Sequence, residues 1–395
     1  MADIFWSGNQ VARAQEYAVT VTASAASGTL TATINSKTET YTTTSTDTAV
    51  AAQGAILAFQ NSPINEFRMM TWSASGSVMS AVGPPDGRAV VVTWGSSGGT
   101  TTSGGGSPSV AATSPYNYAD TANWVGGVLP ASGDRAVFQG NLTSVLYGLT
   151  QNTADTVALL IEASYAGSIG LPTVNPLGFV EFLPTRLELA GTALTVNANG
   201  QSIYRVKSTA GSAVTVIFRG ASGNETFDLT GTPASSVLRQ SGGGIVLCPD
   251  IGETGTLATI TADGNFTFRS NSGLTIGTGS FYQGQALIAG PYTTMTVDNG
   301  ATVTTTAASA GTTTNAYATL VWTSTGSPGT VTVGATGSID FSASPSTVSV
   351  TAVTVREGGT FSDPNKATTG YNMTFVGDQS KCNIKLGQNR VFAIT

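Results

Sequence analysis

The feature that most constrains this chain is a long succession of short apolar runs, starting at Ala136 and continuing almost to the carboxyl end with no helix-length amphipathic segment among them. Residues 136–138, 157–161, 194–196, 214–218, 245–248, 257–260, 266–268, 295–297, 331–333, 348–355 and 384–386 are representative. Most recur about every 8 to 14 residues, the interval expected when strands alternate with turns. A sandwich and a solenoid both fit that spacing. The solenoid is favoured because the series outlasts one sandwich, its strands are very short, and Thr, Ser, Asn and Gly turns repeat without a strict period. In a solenoid the inward residues of each rung stack on those of the next, so every rung needs neighbours. The expected fold is mainly β: a small α+β domain, then a right-handed parallel β-helix over residues 115–395, with β-sandwich domains as the alternative. Val216, Phe218, Leu247 and Ile260 lie in the most apolar runs and are expected to point inward.

Composition agrees. The 395 residues are 40% hydrophobic, enough for a sizeable core. Only 10% are charged, against roughly 25% in an average domain, and the 48 glycines with abundant Thr and Ser suit extended strands and tight turns. Sixteen basic against twenty-two acidic residues give a net charge of -6 without any Lys/Arg cluster, which excludes nucleic acid as a partner. Cys248 and Cys382 are too far apart for a local metal or redox motif and read as buried small hydrophobes. No stretch is apolar and long enough to span a membrane, and no secretion signal opens the chain. Cytoplasmic synthesis is therefore expected, and the Asn-x-Thr sequons at Asn141, Asn224, Asn265 and Asn372 are chance matches in a Thr-rich chain.

Residues 1–94 read as the small domain. Period-2 runs at 30–34 and 38–42 flank a short turn and form a hairpin. Asp47 is placed to cap a helix over residues 49–59, Gly54 leaves room for a strand to approach, and Pro63 ends the helix. Strands at 68–74, 78–82 and 88–94 complete a β-β-α-β-β-β order. Residues 95–114, nearly all Gly, Ser and Thr, bury too little apolar surface to offset their ordering entropy and read as a flexible linker. Ile4, Phe5 and Trp6 form an aromatic cluster near the amino end, expected to anchor the protein to a partner or else to pack on the domain's own sheet.

The pattern changes at Asn123-Trp124-Val125-Gly126-Gly127, followed by Pro130, Gly133-Asp134, Ala136-Val137-Phe138, Leu146-Tyr147-Gly148-Leu149 and Ile169-Gly170-Leu171-Pro172. Asn123 and Trp124 are expected to cover the open end of the solenoid, and Gly133-Asp134 to turn the chain into its first rung. This succession resembles a family of phage and prophage virion proteins, and the small helix-on-sheet domain is similar to ones recurring in tailed-phage structural proteins. The resemblance implies a virion structural component, made in the host cytoplasm and carried in the virion; the missing histidine and the scattered carboxylates separately lead to the expectation that it is not an enzyme. Its implied partners are the major capsid protein or other virion proteins, together with copies of itself in a homo-oligomer, a trimer being one arrangement. Decoration of the capsid exterior is the leading role. A tail, tailspike or fibre component that binds or cleaves host glycan is the alternative, and a bacterial surface adhesin is a third reading.

The chain has no histidine, which removes Ser-His-Asp and Cys-His catalysis and HExxH zinc sites. A GxSxG match at Gly95, Ser97 and Gly99 lacks the strand-to-helix context a nucleophile elbow requires. No metal or cofactor is expected. Paired carboxylates remain, as in glycan-cleaving β-helices. The acids are Glu162, Glu181, Glu188, Asp228, Asp250, Glu253 and Asp263, with Arg186, Arg205 and Arg219 as contacts. Glu181 and Arg186 form the best local pair for glycan, while Tyr165, Tyr204, Tyr282 and Tyr292 are scattered.

Overall fold

The computed structural model describes residues 2–151, 157–209, 211–220, 225–306, 309–365, 368–369 and 372–387. It is mainly β, with 48% strand and 6% helix, and is built on a β-solenoid of about 11 turns. Two parallel ladders run its length. The first starts with Arg135–Phe138, Ala158–Ile161, Ala193–Ala198 and Thr215–Gly220 and ends with Val348–Arg356 and Met373–Val376. The second runs from Leu187–Leu189 and Tyr204–Ser208 to Thr360–Asp363 and Asn383–Leu386. Val237–Leu247 and Gly255–Ser270 are long enough to bend at a corner and serve both ladders.

The register explains the apolar runs. Phe138, Ile161, Val196, Phe218, Gln240, Ala262, Phe281, Val297, Ala316, Val333 and Val355 pair in series, one per turn, and form a continuous inward column. Each large member contributes roughly 1.5–3 kcal/mol by burial. Gln240 is the one amide in the column. It is tolerated because its Nε2 donates to the carbonyls of Gly243 (2.8 Å) and Thr267 (3.0 Å). Val216, Phe218, Leu247 and Ile260 all point inward, none more than 1% exposed. Cys248 is buried, but Cys382 is only half-buried, on the last described turn; both are free thiols.

The small α+β unit contains a four-stranded and a three-stranded antiparallel sheet. Helix Thr48–Gln60 packs on strands of both sheets. Asp47 caps it, accepting from the amides of Ala49 (2.8 Å) and Val50 (3.3 Å). Tyr41, from strand Lys37–Thr42, lies where a side chain at Gly54 would project, so a larger residue there would have to displace the Tyr41 ring. Three strands precede the helix and four follow it, more than the expected order. Asn65–Arg68 is a short helix, so the next strand starts only at Thr71.

The expected boundaries change in two ways. Strand Asp3–Phe5 does not belong to the small unit but pairs in parallel with Arg135, Ala136 and Val137 of the solenoid. The small unit is therefore an insertion between the first solenoid strand and the rest of the solenoid. The stretch 95–114, expected as a flexible linker, is ordered. Val92–Ser97 and Thr101–Gly104 are strands of the two sheets, and the chain then returns beside the outgoing segment through bridges Glu16–Val110 and Arg13–Thr113. Composition misleads here because strand pairing satisfies backbone groups whatever the side chains are, and the hydroxyls add pairs such as Thr29–Ser97 (2.7 Å) and Thr22–Thr101 (2.8 Å). Of the sequons, Asn141 donates to the Ser7 carbonyl (2.6 Å), Asn265 and Asn372 are exposed, and Asn224 lies outside the described residues.

Candidate functional site

The residues singled out at the solenoid start converge on one aromatic plug. Asp120 caps the turn Thr121–Asn123. The Asn123 amide, fully buried, donates to the carbonyls of Ser114 and Asn117 (both 2.8 Å) and accepts from the Gln10 amide (2.8 Å). It thereby locks the outgoing and returning segments together. Trp124 packs edge-on against Trp6 (ring centroids 5.2 Å) and Tyr118 (4.8 Å), with Phe138 beneath at 5.8 Å. Gly133 turns at φ +85°, and Asp134 accepts from the Ala2 amide at 3.1 Å, fixing the first strand over Arg135. Ile4, Phe5 and Trp6 are therefore no free anchor. Trp6 is 3% exposed with its indole donating to the Thr143 carbonyl (3.0 Å), and Ile4 packs on the solenoid core rather than on the small unit's sheet.

The main charged cluster surrounds Arg186, at the edge of the second ladder and 9% exposed. Its Nη1 is paired with Glu253, and its Nη2 lies 3.0 Å from Asp250 and 3.9 Å from Asp228. Arg205, one turn away from Asp228 in register, adds a 3.5 Å contact to it. Thr173 donates to Asp250 (3.1 Å), and the Asp250 amide donates to the second Glu253 oxygen (3.0 Å). Burial pushes the Asp228 carboxyl up to about 7, against the pull of Arg186 and Arg205. Beside the cluster an open cleft of about 360 Å³ is lined by Thr185, Arg186, Glu188, Lys207, Thr230 and Glu253, among others.

Three carboxylates thus share two guanidinium groups, the arrangement of a side-chain clamp tying consecutive turns together. Glu253 spends one oxygen on Arg186 and the other on a backbone amide, and Asp228 does not line the cleft. The geometry differs from two carboxyls facing each other across a groove.

The expected Glu181–Arg186 pair is not formed. The loop between them turns Glu181 toward the small unit, where its fully buried side chain pairs with Arg88 and accepts from the amides of Phe182 and Leu183 (both 3.0 Å). Arg88 also lies over the Phe182 ring, 5.1 Å from its centroid, and Tyr147 donates to Asp86 at 2.6 Å. These contacts fasten the small unit to the solenoid. Glu162 is engaged by Asn197, Glu188 by Lys207, and Asp263 and Arg219 are exposed. Tyr165, Tyr204 and Tyr292 are buried in the core and offer no sugar platform, while Tyr282 is half-buried. Among the described residues no group of three or more His, Cys, Asp or Glu could hold a metal ion. Burial pushes the Cys248 thiol up to about 12, so it stays protonated. Among the described residues no helix is long and apolar enough to cross a membrane. Comparison with protein-family models, curated proteins and solved structures gives no match.

Proposed function

We propose that the protein is a non-catalytic structural component of a tailed-phage virion, carried on the outside of the head, with the major capsid protein as its partner surface and further copies of itself as neighbours. The observation that carries this reading is the small unit clamped to one end of a stiff solenoid. It is held by two chain crossings and the buried Arg88–Glu181 pair at the start of a solenoid of about 11 turns, the later of which project beyond it. At about 4.8 Å per turn the solenoid reaches roughly 50 Å. A small mount with a rigid projection suits a decoration protein, and the sequence resemblance points to the same context. With Trp6 buried, anchoring falls to the small unit. Its helix exposes Val50 (49%) and Leu57 (58%), seven residues apart and hence on one stripe.

Two measurements test the reading. Quantitative gels of purified particles should give hundreds of copies; a few dozen or fewer would move the protein to the tail, the alternative kept open by the polar cleft beside Arg186. A Val50→Glu/Leu57→Glu protein should fail to bind particles lacking the protein while keeping its circular dichroism spectrum. Unchanged binding would remove the helix as the anchor.

A further inference from the structure

At one corner of the solenoid, where the first ladder passes into the second, three successive turns present amide side chains. Asn265, Gln283 and Asn299 occupy corresponding positions, all in the left-handed backbone region (φ 61°, 59° and 50°) and all exposed. The Asn265 backbone N–H donates to the Gln283 backbone carbonyl (2.8 Å), which ties one corner to the next. Among the described residues their side-chain amides make no hydrogen bond, so donors and acceptors both face solvent. Asn tolerates this backbone conformation, but Gln rarely adopts it. Glycine would fit position 283 with less strain.

This corner forms one wall of a larger feature. Two open clefts, of about 350 and 310 Å³, meet there and share Gln285 and Thr302. The second extends over the outward face, where Thr267, Gln285 and Thr302 pair in register and Arg269, Leu287 and Thr304 do the same. The groove therefore crosses three turns, about 10 Å along the solenoid axis.

We propose that this groove binds a neutral polysaccharide lying along the solenoid. Each amide offers a donor and an acceptor side by side, the pattern that neighbouring sugar hydroxyls require. The threonine hydroxyls extend that set, and half-buried Leu287 supplies an apolar surface for the C–H face of a ring. Charge argues against an ionic ligand: Asp263 and Asp298 adjoin the corner at one side while Arg269 stands at the other. A peptide adding as a strand would need an unpaired edge, and the strands here are paired on both sides. The inference does not rest on the virion reading and stands or falls on the groove alone.

The test is affinity electrophoresis of the full chain through native gels containing dextran, mannan or arabinogalactan, with polygalacturonate and heparin as charged probes. At least one neutral polysaccharide should retard the wild type. The double variant Gln283→Gly/Asn299→Gly should weaken that retardation at least ten-fold. Glycine accepts the left-handed backbone without strain, so this variant removes both side chains and leaves the fold intact, which its melting temperature checks. Gln285→Ala, on the strand face, should weaken binding independently. Absence of retardation by every neutral polysaccharide, retardation by the charged probes alone, or full retardation of both variants would each overturn the proposal.

Discussion

Asp228→Asn should change how stability depends on pH, and the direction follows from the Arg186 cluster. Asp228 faces Arg186, Arg205, Asp250 and Glu253, and burial raises its carboxyl from 3.8 to about 7. The folded protein therefore holds this proton more tightly than the unfolded chain. Below pH 4 the group is protonated in both states and costs nothing. Between pH 4 and 7 the unfolded chain releases the proton while the folded protein retains it, so stability falls as pH rises; above 7 the loss is complete. At roughly 1.4 kcal/mol per pH unit the full loss is about 4 kcal/mol, an upper bound because the side chain keeps 13% of its exposure. Asparagine cannot titrate and removes this dependence. Other acids titrate in both proteins, so the readout is the difference in melting temperature between Asp228→Asn and wild type, taken at fixed scan rate from pH 4 to 9. The variant should gain on the wild type up to about pH 7 and then hold its lead. A difference that stays flat, or a variant that loses ground as pH rises, would show that Asp228 is an ordinary ionised partner of the two arginines and would refute the reasoning.

Two further outcomes are expected from the attachment of the small unit. Arg88→Ala strands the fully buried Glu181 carboxylate and should cost about 3–5 kcal/mol; a loss below about 1 kcal/mol in thermal or urea unfolding would mean that Glu181 does not carry a buried charge. Trp6→Ala opens the aromatic plug and should cost about 3–5 kcal/mol, with faster hydrogen exchange concentrated at residues 3–6 and 135–137, and unchanged exchange there would contradict the pairing of the first strand.

The core was readable because alternation along a strand directly reports which side chains face inward. Phe218 and Ile260 needed no structural help, nor did the helix, with Asp47 before it and Pro63 after it. The insertion left no such mark. Asp3, Ile4 and Phe5 make a three-residue strand whose partner lies some 130 positions away, and nothing local distinguishes it from a loose aromatic end. Residues 95–114 failed for the opposite reason: an ordering argument based on apolar burial ignores backbone pairing to waiting strand edges. At the charged site, sequence proximity suggested Glu181 with Arg186, whereas the solenoid returns Asp228, Asp250 and Glu253 to Arg186 from later turns. The amides at 265, 283 and 299 recur at intervals of 18 and 16 residues, so their alignment emerges only once each turn's length is known.

The insertion also sets an order of events during synthesis. Strand Asp3–Phe5 leaves the ribosome first, but its partner Arg135–Phe138 follows only after the whole small unit has emerged. At 5–20 residues per second that is a wait of roughly 10 s. The small unit, complete in both its sheets and its core, can fold in that interval and hold the two crossing segments side by side. When Trp124 and Phe138 appear, Trp6 is already tethered a short distance away, so closing the plug needs a local search in place of a loop closure over 130 residues.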